Sequence, residues 1–422
     1  MRIKRKLLKR LPDLQESRKI TVIIGPRQSG KTTLLKMIRD SIQEQGYRTL
    51  FLDIDLFSDF EKIATFENII NTLKLHGFRE DGKEPFFLFL DEFQRYEDVS
   101  VILKNLYDHK QNLKIYATGS SSLTIKQSIQ ESLAGRKFIY NLYPLDFEEF
   151  LDFQGDEVAI ELYRNSISLE GKNLHAPLSR LLDYLKEFMI LGGYPEVVLT
   201  KGEAKKEILR SIFDLYVKKE LVEYLKIEKV FPVKLIIEYL AINNGQKVKY
   251  EDLAKISGLP QNTVKQYLDI LEETFLIRKI RPFFTNKNKE IVKIPKIYFI
   301  DPGVANYFIK NFNPLELRND AGFLFENFII SEIIKRETEP SDLKFWGDKN
   351  QREVDLVIDT PSRLTALEMK FKEKVKDDDF SGLRAFAGMY GHREPNLFLV
   401  NIGEQYKNDK VCLRLPFRIY DF

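Results

Sequence analysis

A chain of 422 residues is too long for one hydrophobic core and predicts three or four domains. Its 43% hydrophobic and 31% charged residues suit a globular protein and argue against disorder. The formal net charge of only +3 leaves nucleic-acid binding to local basic patches, and the single cysteine, Cys412, excludes an internal disulfide or a Cys-rich zinc site.

The histidines, His76, His109, His175 and His392, are scattered without metal-ligand spacing. The basic N-terminus MRIKRKLLKRLPDLQ is followed by no apolar stretch able to serve as a signal-peptide core. No uninterrupted apolar run approaches the ~20 residues of a membrane helix. The expectation is a soluble, cytoplasmic protein with no membrane segment.

Residues 1–155 alternate apolar strand-like runs with amphipathic stretches, the pattern of a parallel α/β sheet covered by helices. Candidate strands are ITVIIG (20–25), TLFLDI (49–54), FFLFLD (86–91), LKIYATG (113–119) and KFIYNLY (137–143). After the first comes GPRQSGKT, which fits G-x-x-x-x-G-K-[ST] between a strand and the helix-like TTLLKMIRD. Here Gly25, Pro26, Arg27, Gln28, Ser29 and Gly30 would turn backbone N–H groups around phosphate oxygens, and the helix start at Thr32 and Thr33 adds its positive end. Lys31 would supply charge to the β- and γ-phosphates of ATP, and the Thr32 hydroxyl would coordinate Mg²⁺. Two acids close the apolar strand FFLFLDE: Asp91, expected to hold the Mg²⁺ through water, and Glu92, expected to polarise the attacking water. For Thr118, Ser120 and Ser121 in TGSSS, two readings stand: γ-phosphate sensors, or the caps and turns such residues commonly make.

Residues 156–232 show helical periodicity and read as a helical lid. The set GPRQSGKTTLL, LFLDEFQR, ATGSSS, LAGR and GGYPEVV, in this order, resembles a family of archaeal and bacterial AAA-type ATPases related to the STAND/AAA+ group. That family carries a winged helix and a restriction-endonuclease-like C-terminal domain. The resemblance implies that Arg136 in LAGR makes a charge contact to the nucleotide or a neighbouring subunit; a plain surface arginine after a helix-ending Gly135 is the other reading. It likewise implies that GGYP, ending at Pro195, is a lid segment near the adenine, although Gly-Gly and Pro also simply stop helices.

Residues 233–311 have the shape of a winged helix. Tyr250 to Ser257 and Gln261 to Thr274 read as two helices broken at Gly258, with Val264, Leu268, Leu271 and Phe275 on one buried face. Gln261, Asn262, Thr263, Lys265 and Gln266 then point outward, where a recognition helix meets DNA, and a hairpin with a basic tip, Lys287 and Lys289, follows. DNA is the expected partner; a surface that binds protein or only joins domains is the alternative.

In residues 312–422 the helix NDAGFLFENFIISEIIKR, with Phe323, Phe325, Phe328, Ile329 and Ile333 expected inward, precedes LKFWGD, REVDLVID and TALEMKF. The helix-like DDDFSGLRAFAGMY and the strand NLFLVN complete an α-β-β-β-α-β order, that of PD-(D/E)XK nucleases. Glu368 and Lys370, two apart on a strand, face one side. Asp355 on the neighbouring strand would share Mg²⁺ with Glu368, Glu326 would complete the metal shell, and Lys370 would orient water or neutralise transition-state charge. The plain alternative is a pair of exposed strand residues.

The expected whole is a multidomain α/β protein: P-loop core, helical lid, winged helix and mixed α/β nuclease-like domain. Its expected function is ATP binding and hydrolysis coupled to DNA binding and metal-dependent cleavage. The competing function is a nucleotide-operated binding switch with an inert nuclease-like domain. A homo-oligomer or a partner protein is compatible with both.

Overall fold

The computed structural model describes residues 5–10, 17–93, 99–120, 133–224, 230–284, 290, 293–336, 342–408, 410–417 and 419. The chain falls into two compact units. Unit 1 holds residues 1–144, 218–226 and 273–275, and unit 2 the remainder.

Unit 1 is built on strands β1 (Ile20–Ile24), β2 (Arg48–Asp53), β3 (Phe86–Asp91), β4 (Leu113–Gly119) and β5 (Lys137–Asn141), with helices α1 (Lys31–Glu44), α2 (Phe57–Ile63), α3 (Phe66–Leu75) and α4 (Val99–His109). All strand pairs are parallel, in the order β2-β3-β4-β1-β5. The inner strands β3, β4 and β1 are buried along their whole length because both faces are covered, while the edge strands β2 and β5 keep exposed polar residues. Alternate residues serve different layers. Val22, Leu88, Leu90 and Ile115 join the cluster that includes Ile69, Leu73 and Leu103, while Ile23, Phe87, Phe89 and Tyr116 join the one that includes Leu34, Leu35 and Ile38. Phe89 stacks on Tyr116 with ring centroids 5.2 Å apart. Removing a side chain such as Leu35, fully buried between helix and sheet, costs about 2–5 kcal/mol.

Unit 2 opens with helices α5 (Phe147–Gln154), α6 (Glu157–Asn165), α7 (Ser179–Leu191), α8 (Pro195–Leu199), α9 (Ala204–Tyr216) and α10 (Val230–Ile242). The capping box of Asp146 with Glu149 starts α5. Helices α11 (Tyr250–Ser257) and α12 (Gln261–Glu273) follow, separated at Gly258, whose φ of 66° closes α11 in the left-handed conformation. Val264, Leu268 and Leu271 are buried as the spacing predicts. Phe275, expected beside them, instead meets Tyr143 edge-on within unit 1.

An eight-stranded sheet follows: β6 (Ile277–Pro282), β7 (Lys296–Phe299), β8 (Asp342–Gly347), β9 (Glu353–Asp359), β10 (Leu364–Met369), β11 (Asn396–Val400), β12 (Tyr406–Asn408) and β13 (Val411–Arg414), in the order β12-β13-β11-β10-β9-β8-β6-β7. Helices α13 (Pro302–Phe308), α14 (Ala321–Arg336) and α15 (Ser381–Tyr390) lie in the same stretch of chain. The hairpin β6/β7 does not stop at the boundary expected near residue 311. β6 runs parallel to β8, with Arg281 opposite Lys344, and the Phe283 N–H donates to the Phe345 carbonyl at 2.6 Å. Phe283 also enters the apolar cluster of Trp346, Phe386 and Tyr390. An edge strand's unpaired amides and an apolar side chain directly after it favour such an extension of the sheet. A second departure lies in α14, where Phe323, expected inward, is 41% exposed, while Phe325, Phe328, Ile329 and Ile333 are buried.

Candidate functional site

Two groups of side chains concentrate chemistry, one in each unit. In unit 1 the loop between β1 and α1 is a tight turn. Gln28 and Gly30 have φ of 59° and 94°, left-handed values that bring successive N–H groups to one side. Gly25 is a glycine because a Cβ there would stand 2.1 Å from the Leu142 carbonyl oxygen. Arg5 pins the loop from behind, donating to the carbonyls of Ser29 and Tyr143, each at 2.7 Å. The Lys31 ammonium lies over its own loop, donating to the carbonyls of Gly25 (3.1 Å) and Pro26 (2.9 Å). The Ser29 hydroxyl oxygen is buried without a hydrogen-bond partner, an opening that a phosphate oxygen fits. Thr32 is half-buried and Thr33 exposed at the start of α1.

Asp91 ends β3 almost fully buried and accepts from the Thr118 hydroxyl of β4. Thr118 is thereby tied to the acid rather than standing free. Ser120 is buried at the same edge, and Ser121 lies outside the described residues. Glu92 holds a left-handed φ of 50°, a strained placement for a non-glycine residue. Sequence reading passed over Asp53, which ends β2 directly opposite Asp91. Its pKa is raised by burial and by the neighbouring Asp91, Asp55 and Glu92 charges. Acids crowded at one sheet edge fit a divalent cation. The signal was present in LFLDI, a second strand ending in an acid.

Arg136 does not join this edge within the chain. Its carbonyl accepts from the Ile20 N–H at 2.8 Å, at the start of β1, so the length of that strand, about 16 Å, separates it from the loop. Its guanidinium pairs with Asp108 at 2.7 and 3.1 Å. Pro195 belongs to unit 2 and begins α8. The preceding Gly193 N–H donates to the Asp301 carboxylate at 2.7 Å, and a Cβ on Gly192 would stand 1.9 Å from that carboxylate. GGYP is therefore shaped by close packing around Asp301.

In unit 2, Asp355 of β9, Glu368 of β10 and Glu326 of α14 are all buried. Leu356 pairs with Leu367 in the antiparallel register, so one further step sets Asp355 opposite Glu368. Asp355 accepts from the Met369 N–H at 2.8 Å. Glu368 gives one oxygen to Lys370 at 2.6 Å, while its other oxygen, Oε2, is buried with no partner. Burial, then the nearby Asp355 charge, pushes the Glu368 pKa up to about 8. Gly382 of α15 permits this approach: a Cβ there would stand 1.9 Å from the Glu353 carbonyl oxygen and 3.5 Å from Glu368 Oε2.

Glu326, expected as a metal ligand, has other partners. The Tyr298 hydroxyl (2.5 Å) and the Lys296 ammonium (3.1 Å) both meet its Oε1. Burial and the Asp355 charge raise its pKa to about 7. Lys296 also pairs with Glu353 at 2.6 Å, and Glu353 with Lys247 at 2.6 Å. Lys296 and Tyr298 went unread in the sequence because they belong to the hairpin strand β7, and nothing in KIPKIYFID shows that the hairpin joins the sheet.

Among the described residues, no group of three Asp, Glu, His or Cys side chains forms a ready-made cation cage. Mg²⁺ usually takes one or two protein carboxylates and keeps several waters, so Asp355 with the unpartnered oxygen of Glu368 fits it, with Glu326 behind them. Of the helix residues expected to face DNA, Gln261, Asn262, Lys265 and Gln266 are exposed and Thr263 is half-buried. Lys287 and Lys289 lie outside the described residues. No described helix is long and apolar enough to cross a membrane.

Comparison with known proteins divides the chain in three. Residues 17–151 match a family described as AAA domain, residues 182–315 match DUF8612 and residues 321–420 match DUF4143, the latter two described as domains of unknown function. A protein of Haemophilus influenzae is 26% identical over 374 residues, covering 86% of both chains. One of Methanocaldococcus jannaschii is 28% identical over 354 residues, covering 81% of this chain and 72% of its own. Among solved structures, the Walker-type ATPase of Pyrococcus abyssi aligns with 73% of this chain and 96% of its own, at a TM-score of 0.46 and 15% identity. The N-terminal segment is a P-loop AAA-type ATPase domain, a type that binds nucleotide, usually with Mg²⁺.

Proposed function

We propose that the chain is an ATP-operated DNA-processing enzyme. In this reading, residues 156–232 form a lid, 233–311 a winged helix and 312–422 a metal-dependent phosphodiesterase of the PD-(D/E)XK type. Asp355 and Glu368 would hold Mg²⁺, which when bound supplies hydroxide near neutral pH and stabilises the departing oxyanion. Lys370 sits against Glu368, where it can bind a substrate phosphate oxygen and offset its charge. Lys296 and Tyr298 keep Glu326 oriented toward the same acids. In the ATPase domain, Lys31 and the β1–α1 loop bind phosphates, Thr32 and Asp91 hold Mg²⁺, and Glu92 aligns the attacking water.

One observation carries the nuclease reading. Glu368 Oε2 is a buried acceptor without a donor, in a site whose carboxylates raise one another's pKa. Such an atom costs free energy unless something fills the position, and a cation does so.

A second reading, a nucleotide-operated switch with an inert C-terminal site, draws on a different observation. Lys296 and Lys370 already counter the charges of Glu326 and Glu368. Labelled single- and double-stranded DNA and RNA, incubated with Mg²⁺ or Mn²⁺ with and without ATP, decide between them. Cutting by the wild type that is lost in Asp355→Ala supports the enzyme, and a Lys31→Ala lane reports whether ATP governs it. ATP hydrolysis with every substrate intact would leave the switch.

A further inference from the structure

A cavity of about 130 Å³ opens between α11, α12, β6 and the segment leading into β7; its lining includes Tyr250, Lys265, Asp269, Lys279, Arg281 and Lys293. Its charges are not balanced internally. Lys279 is neutralised by Asp269 and, at 2.9 Å, by Glu272, so the acids of the rim are already engaged. Lys265 lies 5.3 Å from the centre of the Tyr250 ring, and no described carboxylate pairs with it. Arg281 and Lys293 are exposed and likewise have no ion-pair partner among the described residues.

The remaining wall adds a neutral donor. Burial raises the pKa of the Tyr250 phenol, with the Lys279 and Arg281 charges acting in the opposite direction, so the hydroxyl keeps its proton. Three cations and a phenol, drawn from two helices, a strand and a loop, thus surround a small polar hollow. The hollow is small and lined mostly by polar groups, a setting that suits a compact charged group. A tetrahedral oxyanion is such a group.

The cavity also continues a surface already described. Lys265 stands one turn beyond Gln261 and Asn262 on the same face of α12, all three exposed. Lys279 and Arg281, two apart on β6, share one side of that strand. We infer that this hollow is a phosphate-binding site that grips one backbone phosphate of a nucleic-acid strand lying along α12. The inference rests on the DNA-binding reading above and adds Tyr250, Arg281 and Lys293 to an interface expected from α12 and the hairpin tip.

The test is fluorescence anisotropy of a labelled 20-base-pair duplex, titrated with the full-length protein across a salt series. The variants are Arg281→Ala, Lys293→Ala, their double, and Lys201→Ala as an exposed lysine elsewhere. Arg281 and Lys293 have no ion-pair partner to lose among the described residues, so the fold is kept. Each single change should weaken binding about 3–10-fold and lower the slope of log K against log salt by about 0.9, and Lys201→Ala should leave both unchanged. A double variant that binds as tightly as the wild type and Lys201→Ala overturns the proposal while leaving DNA binding intact.

Should the wild type bind no duplex, the DNA-binding reading fails, and inorganic phosphate decides the pocket. With ADP and Mg²⁺ saturating the N-terminal site, phosphorus NMR lines broadened by the wild type and not by the double variant keep an anion site. Equal or absent broadening ends the proposal.

Discussion

The two carboxylate sites of this chain are built in opposite ways. In unit 1, Asp91 and Asp53 stand side by side at the ends of parallel strands, and Lys31, at the end of the β1–α1 loop, donates to carbonyls of that loop. In unit 2, Asp355 and Glu368 sit within the strands of a mixed sheet, with Glu326 buried behind them and Lys296 brought from a neighbouring hairpin. The first arrangement separates chemistry from stability, since loop atoms can change without disturbing the layers beneath. The second binds them together, because each ionisable group there is also part of the packing.

That contrast can be broken by experiment. Lys31→Ala should lower ATP turnover by about 10³-fold with little change in the melting curve, because its ammonium donates to carbonyls of its own loop. A large loss of stability in that variant would erase the distinction. Lys296→Met should act in the reverse sense. It strips the buried Glu326 of its cation and should cost about 3 kcal/mol in a urea melt, with ATP turnover largely preserved.

Acidity sharpens the comparison further. The raised pKa values of Glu368 and Glu326 mean that the folded chain holds protons that the unfolded chain releases near pH 4.5. Stability should therefore be greatest below that range and fall as pH rises toward about 8. Glu368→Gln should flatten this decline and raise Tm at pH 8 by a few degrees, at about 2–4 °C per kcal/mol, when Mg²⁺ is absent. Added Mg²⁺ should stabilise the wild type at pH 8 and leave the Gln variant unmoved, as scanning fluorimetry would show. The smallest effect belongs to Arg136→Ala. It breaks an exposed pair with Asp108 and should leave the melting curve nearly unchanged, with ATP turnover in dilute protein within about twofold of wild type.

The same contrast governs what could be read from the sequence. A loop site is contiguous in the chain, so GPRQSGKT announced itself, and the inner strands of the parallel sheet were legible because burial on both faces leaves a nearly unbroken apolar run. In the mixed sheet the order of elements and the two-residue step from Glu368 to Lys370 were legible as well. Lys296 and Tyr298 were not, for their relevance depends on β6 pairing with β8, a contact between residues some 60 positions apart with no local signature. For Arg136 the motif order leaves the surroundings open: that it stands beside the start of β1, paired with Asp108, follows from strand register. Phe323 shows the limit of composition, since an aromatic residue in an apolar helix need not face inward.

The pairing of β6 with β8 also bears on how such a protein can be divided. Cut at residue 312, the C-terminal piece would lose the strand that covers β8 and expose the Phe345 carbonyl along an open edge. It would also lose Phe283 from its place against Phe386 and Tyr390. An uncovered strand beside an unfilled aromatic slot is a template for self-association. A stable C-terminal fragment should therefore begin upstream of the hairpin, and fragments trimmed to the motif-bearing segment should precipitate where longer ones stay in solution.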